Sequence, residues 1–144
     1  MSTVTSWLFW ALLSAVFAAL TAIFAKLGIQ GIDSDLATLI RTVIVMMVLA
    51  AFVVLNGKWL NPFTLPPRAW LFLSLSAIAT GISWVCYFRA LQLGDASRVA
   101  PVDKLSVLLV AVFAVAFLGE RPTLRDWLGI VLIAGGVLLL ALRR

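Results

Sequence analysis

Five long stretches of apolar residues limit the fold of this chain more than any other feature of its sequence. A helix needs about 20 consecutive apolar residues to cross the hydrocarbon core of a bilayer, and each stretch is close to that length. The stretches are continuous rather than alternating, which excludes a transmembrane β-barrel. The pattern therefore predicts an all-α membrane protein of one domain, 1–144, with short loops and five transmembrane helices. The predicted spans are about 4–25, 36–55, 69–90, 98–118 and 124–142.

The composition indicates that lipid covers most of the exterior. Hydrophobic residues make up 64% of the chain and charged residues 12%, whereas a soluble domain carries about 25% charged residues. The net charge is +5, but the basic residues stand singly at the ends of apolar stretches, where side chains contact lipid headgroups. The expected partner is therefore the lipid bilayer and not nucleic acid. We expect a multi-pass protein of the inner membrane.

The sequence offers little for catalysis. It contains no histidine and a single cysteine, Cys86. Histidine is the commonest metal ligand and proton shuttle, and one cysteine cannot form an intrachain disulfide. Cys86 has no base nearby in sequence, and no span shows paired carboxylates. We therefore expect no catalytic residue, no metal and no cofactor, and an intramembrane enzyme is strongly disfavoured.

The basic residues at or beyond the ends of the spans divide almost evenly between the two sides of the membrane. The N-terminal side has Lys58, Arg68, Arg121 and Arg125, and the other side has Lys26, Arg89, Arg98, Arg143 and Arg144. Orientation follows the Lys and Arg excess in short loops, so this count gives almost no preference. Two interpretations stay open: copies insert in both orientations, or a partner or one dominant charge sets a single orientation.

Three charged residues fall inside the predicted spans and away from their ends: Arg41 in the second, and Asp103 with Lys104 in the fourth. A charge at the centre of a spanning helix costs about 2.5–3.5 kcal/mol on insertion scales and usually faces a cavity. An Arg41–Asp103 pair is expected either to lock two helices together or to line a pathway for substrate or ions. Asp103 is taken as the only carboxylate within a span, and hence as the group for proton coupling. Trp84 and Tyr87 are aromatic candidates for stacking on a substrate, or else for lipid or core contact.

Short motifs in the second half of the chain resemble those of a transporter family. They are Ala90-Leu91, Gly94-Asp95-Ala96-Ser97, Ala100-Pro101, Leu118-Gly119-Glu120, and Gly129 with Leu132-Ile133 and Gly135-Gly136. In this order and spacing, across five spans, the chain resembles the EamA domain of the drug/metabolite transporter superfamily over essentially its whole length. Most members carry two such domains, and this chain has one. The resemblance implies an antiparallel homodimer that reproduces a ten-helix bundle of inverted repeats, and the balanced charges support it independently.

The resemblance also implies a function. It favours a secondary transporter that moves small polar metabolites or drugs across the inner membrane by alternating access. No GxxxxGK[ST] loop is present, so ATP-driven transport is not supported. The alternative is an accessory or structural membrane subunit, such as half of a flippase for a lipid-linked sugar. No residue pattern identifies the substrate.

Glycines in the last predicted span favour a helix contact. Gly129 and Gly136 are seven residues apart and lie on one helical face, which Gly135 adjoins, and small residues at this spacing allow close helix approach. This segment resembles the dimerisation helix of the related small multidrug resistance proteins, so we expect it to contribute to the dimer; packing inside one protomer is the alternative. Glu120 and Pro101 are interpreted as structural residues at helix ends.

Overall fold

The computed structural model describes the backbone of residues 3–142 and the side chains of residues 7–142. Within this part of the chain there is no strand, and five helices are long and apolar enough to cross a membrane. The all-α prediction with five spanning helices is therefore confirmed. The spanning segments are Trp7–Gly28, Ser34–Leu55, Pro67–Leu93, Ala96–Leu118 and Leu124–Leu142.

The first three helices are α1 (Thr3–Gly28), α2 (Ser34–Leu55) and α3 (Pro67–Leu93). They extend beyond the apolar stretches because polar residues complete their ends. The clearest case is the start of α2, where the Asp33 carboxylate accepts hydrogen bonds from the backbone N–H groups of Asp35 and Leu36, at 2.9 and 3.1 Å. This cap brings Asp35 into the first turn of the helix.

The connection between α2 and α3 is ordered by local hydrogen bonds. It contains a short 3₁₀ helix, Pro62–Thr64, which is capped by the side chain of Asn61. The indole of Trp70 donates to the carbonyl of Pro62 at 3.1 Å, which fastens this connection to α3. Pro67 begins α3, at a position where a helix tolerates proline because the first N–H groups have no intrahelical partner.

The fourth spanning segment is interrupted. It consists of α4 (Ala96–Asp103), a turn at Lys104 and Leu105, α5 (Ser106–Phe113) and a π-helix, Ala114–Leu118. Around the turn the backbone bonds connect residues three apart, from Lys104 N to the Pro101 carbonyl at 2.9 Å and from Leu105 N to the Val102 carbonyl at 3.0 Å. A single continuous helix was expected here, so the interruption is a new feature.

Pro101 explains why the helix breaks at this point. The sequence placed it in the first turn, but α4 begins at Ala96, directly after Asp95, so Pro101 lies inside the helix. Proline has no N–H to donate to the carbonyl four residues earlier, here Ser97, and its ring crowds that carbonyl. The helix continues for only two more residues before the turn. Pro101 thus acts near the end of α4 rather than at its start.

The π-helix ends at Gly119, the central residue of the Leu-Gly-Glu motif. Gly119 has a φ of +69°, in the left-handed region that glycine adopts without strain. This conformation lets the N–H of Gly119 and that of Glu120 both reach the carbonyl of Ala114. The last helix, α6 (Leu124–Leu142), begins directly after Thr123. The backbone N–H and the hydroxyl of Thr123 both donate to the Asp126 carboxylate at 2.7 Å.

The described residues form two compact units. In the unit Ile23–Leu93, α2 packs against α3, and the buried apolar residues are Ala25, Ile29, Phe88 and Leu91. In the other unit, α6 packs against α4 and α5 and buries Val137. Large apolar side chains elsewhere are mostly exposed, as expected for helices whose outer faces contact lipid.

Candidate functional site

In the unit Ile23–Leu93, an ion pair joins the end of α3 to the start of α2. The Arg89 guanidinium donates to both oxygens of Asp35, from Nε to Oδ1 at 3.1 Å and from Nη2 to Oδ2 at 2.6 Å. The planar fork of arginine matches a carboxylate in this two-bond arrangement. About half of each side chain is exposed. The pair therefore fixes geometry without being buried.

Two further bonds tie the same helix end to the last turn of α1 and to the turn between α1 and α2. Lys26 Nζ donates to the carbonyl of Leu91 at 2.5 Å, and Gln92 Nε2 donates to the carbonyl of Ile32 at 2.7 Å. The last carbonyls of a helix have no intrahelical donor, so Lys26 satisfies one of them. Beside these bonds lies a cavity of about 320 Å³. It is lined by Lys26, Ile29, Gln30, Gly31, Leu91 and Gln92.

Arg41 lies deeper in α2 and contacts aromatic rings. Its Cζ atom is 4.2 Å from the ring centroid of Trp84 and 5.5 Å from that of Phe88. An arginine within about 6 Å of a ring centroid is attracted by the electron-rich face. The structure thus brings together two of the predicted pathway residues, Arg41 and Trp84. Tyr87, another candidate, lies beside them with its ring 6.5 Å from that of Phe88.

Trp84 also lines an apolar groove of about 450 Å³ along α2. The lining residues are Thr42, Val45, Met46, Leu49, Ala50, Val53, Trp59 and Trp84. Those on α2 recur every three or four residues and therefore occupy one face of the helix. The sequence contains no signal for this groove, because most of its residues are ordinary apolar residues of the second span.

In the other unit, Asp103 and Lys104 lie at the interruption of the fourth span. Lys104 Nζ is 3.2 Å from Asp103 Oδ2, and both side chains are exposed. The Arg41–Asp103 pair stays a prediction, because Arg41 and Asp103 belong to different units. The expectation that Asp103 is the only carboxylate within a span is wrong. Asp35 lies in the first turn of α2, because the Asp33 cap starts that helix at Ser34, and Asp126 lies in the first turn of α6, inside the predicted span 124–142.

The glycines of α6 present an open face. Gly129, Gly135 and Gly136 are exposed, and a methyl group at any of them would have no neighbouring atom within 4 Å in the described structure. The predicted dimer contact therefore has space for a second helix. Glu120 lies directly behind the helix end, where its backbone N–H bonds to the Ala114 carbonyl at 3.2 Å.

Comparisons with known proteins identify similar transporters over nearly the whole length of the chain. The model of the EamA-like transporter family matches residues 5–142. An uncharacterized transporter in the cobO 3'region of Sinorhizobium sp is 62% identical over 136 residues, which are 94% of this chain and 96% of that protein. The uncharacterized transporter YxxF of Bacillus subtilis is 27% identical over 96% of this chain, which spans only 43% of YxxF.

A further relative matches only part of the chain. The probable 4-amino-4-deoxy-L-arabinose-phosphoundecaprenol flippase subunit ArnE of Yersinia pestis is 33% identical over 69 residues, 48% of this chain and 60% of that protein. No solved structure matches the chain. The family model covers nearly the whole chain, and the Sinorhizobium protein matches nearly end to end. The chain therefore belongs to the EamA-like transporter family and is a multi-pass membrane protein.

Proposed function

We propose that the protein is a secondary transporter of small polar metabolites or drugs in the inner membrane, working by alternating access. In this proposal two copies of the chain, inserted in opposite orientations, form a ten-helix assembly of inverted repeats around one central path. The chain covers 43% of YxxF, which is compatible with two such units corresponding to one longer transporter. Inverted repeats that meet around a site near the midplane are a common transporter architecture.

The interruption of the fourth span is the observation that carries this proposal. The turn at Lys104 and Leu105 follows the eight residues of α4, in a segment of 23 residues. At about 1.5 Å per residue it lies about 12 Å along the segment. Lys104 and Leu105 keep right-handed helical dihedrals, so the turn is a 3₁₀-type tightening within the span, a feature that often marks a functional hinge. Secondary transporters place substrate and ion sites where spanning helices depart from regular α-helical bonding, and the turn is such a departure.

The side chains at the turn suit this role. Asp103 and Lys104 offer one anionic and one cationic group at the turn. Such a set can bind the charged ends of a zwitterionic or ionic metabolite, and a carboxylate can carry a proton in coupled transport. In the unit Ile23–Leu93, Arg41, Trp84 and Tyr87 are separate candidates for contact with a substrate or ion.

A two-stage experiment tests the proposal. Purified protein is first screened by thermal unfolding against classes of polar metabolites, because a ligand of the folded state raises the melting temperature. The compounds that stabilise it are then followed as radiolabelled solutes into proteoliposomes, with and without a pH gradient. Saturable uptake that exceeds the rate of protein-free liposomes is expected. A stabilising compound that does not enter under any gradient would contradict the proposal.

A second candidate function is that of a subunit of a lipid-linked sugar flippase. The similarity to ArnE over 69 residues favours it, since that protein is named as a probable flippase subunit for a phosphoundecaprenol compound. In that case the chain would pair with a different small membrane protein rather than with itself. Affinity purification from the native membrane separates the two readings: a stoichiometric second chain favours the flippase subunit, and a preparation of this chain alone favours the homodimer.

A further inference from the structure

Arg41 is a cation inside the membrane whose nearest described contacts are aromatic. It lies about 10 Å along α2 from the first residue, Ser34, and is half-buried. Within Ile23–Leu93 the Asp35 carboxylate is held by Arg89, and no carboxylate lies within 4 Å of Arg41. Charged groups at membrane depth normally have a counter-charge or a polar cavity. Within this unit the guanidinium therefore has capacity to bind an anion, and a bound phosphate would take the place of the predicted Asp103 partner.

The apolar groove begins at the same place. The Trp84 ring that stacks on Arg41 also forms part of the groove wall, so the cation and the groove are continuous. From Thr42 to Val53 the groove follows α2 for about 16 Å. This is slightly more than half of the hydrocarbon core, which is about 30 Å thick. The site thus consists of one cation at the end of an apolar groove that is about as long as one leaflet of the bilayer.

We propose that this groove binds a hydrocarbon chain of an anionic, phosphate-bearing lipid, with the lipid phosphate against Arg41. The arginine fork matches phosphate geometry in the same way as it matches a carboxylate. A lipid that enters from the membrane face near Arg89 has its head on the Arg41 side and its chain directed along the groove. An apolar helix of a second copy would fill the groove but leave Arg41 without a counter-charge, so we favour the lipid as the occupant.

Lipid binding by the full-length protein can be measured by native mass spectrometry in detergent, with phosphatidylglycerol or phosphatidylcholine added. We expect phosphatidylglycerol to bind more tightly, and Arg41→Gln to weaken it about tenfold, the loss of one charge-assisted hydrogen-bonded contact. Arg68→Gln is the matched control, because Arg68 also lies over an aromatic ring, Phe72, but outside the groove. Equal effects of the two substitutions would overturn the proposal, because they would indicate general attraction to headgroups.

The groove is tested separately by filling it. Ala50→Phe places a ring in the groove and should weaken phosphatidylglycerol binding about as much as Arg41→Gln, while Ala51→Phe, on the neighbouring face, should leave it within about twofold. Binding that Ala50→Phe leaves unchanged, or that millimolar inorganic phosphate displaces fully, would overturn the proposal, because the hydrocarbon chain would then contribute nothing. If Arg41→Gln does not fold, Arg41→Lys serves in its place, with a smaller loss expected because the charge stays and the fork is removed.

This proposal goes beyond the transport function, because binding is measured without transport. A protein that binds the lipid but moves no polar metabolite would contradict the transport proposal and support this one. A protein that takes up metabolites but shows no preference for phosphatidylglycerol would support the transport proposal and contradict the lipid proposal.

Discussion

At the scale of single residues, Asp103 is the most informative group for transport. Its carboxylate lies at the interruption of the fourth span, exposed beside Lys104. If it carries the coupled proton, Asp103→Asn should reduce uptake driven by a pH gradient to the level of protein-free liposomes and leave exchange of substrate at equal pH measurable. The measurement is uptake of a radiolabelled substrate into proteoliposomes under both conditions.

Glu120→Gln is the matched control for this substitution. Glu120 is also an exposed carboxylate, but it lies beyond the helix end. Uptake of substrate by the Glu120→Gln variant should equal uptake by the unaltered protein. Gradient-driven uptake that persists in Asp103→Asn would remove Asp103 from the coupling mechanism.

The Arg89–Asp35 pair is a second residue-scale feature with a measurable effect. Both side chains are half exposed, so screening by solvent keeps their contribution small. Arg89→Gln and Asp35→Asn should each lower the melting temperature slightly, and the double substitution should cost less than the sum of the two. Thermal melts in detergent at low salt measure this coupling. Strictly additive effects would show that the pair does not contribute to stability.

Some of these residue-scale features could be predicted from the sequence and others could not. Arg41 and Trp84 stood out as unusual residues of their spans, and the structure brings them into contact. The partner of Arg89 was missed, because Asp35 was placed outside the second span and is 54 residues away in the chain. Sequence patterns show which groups are costly in a membrane, but they do not show which long-range partner each group finds.

At the scale of secondary-structure elements, the interruption of the fourth span distinguishes it from the others. Proline inside a helix costs about 3 kcal/mol relative to alanine. Pro101→Ala should therefore lengthen α4, raise the melting temperature and slow transport, since the turn it removes is the proposed site. Melting curves and initial uptake rates measure the two effects.

The chain offers a matched proline for this test. Pro67 begins α3, where proline is tolerated, so Pro67→Ala should change neither the melting temperature nor uptake appreciably. Full transport activity in Pro101→Ala would contradict the role of the interruption.

The apolar pattern did not predict the interruption of the fourth span, because hydropathy registers length and composition but not whether backbone bonds connect residues three or four apart.

At the scale of the whole molecule, the number of spans could be predicted because the thickness of the bilayer sets the length of each helix. The way in which two molecules contact each other is not set by the bilayer thickness.

The open face of α6 that contains Gly129, Gly135 and Gly136 gives a prediction about the dimer. Gly129→Leu combined with Gly136→Leu should shift the protein from dimer to monomer in detergent. Size-exclusion chromatography with light scattering measures the change.

Gly81→Leu is the matched control, because Gly81 is also an exposed helical glycine with no atom within 4 Å of an added methyl group. It should leave the dimer intact. A dimer that survives both leucines of α6 would place the interface on another face.

The opposite orientation of two copies is the central claim, and labelling from one side of the membrane tests it most directly. Asn61→Cys, in the connection between α2 and α3, combined with Cys86→Ala gives one reactive thiol per chain. A membrane-impermeant maleimide applied to intact cells should label about half of the copies, and permeabilisation should expose the rest. Labelling of all copies, or of none, before permeabilisation would show one fixed orientation and contradict the antiparallel assembly.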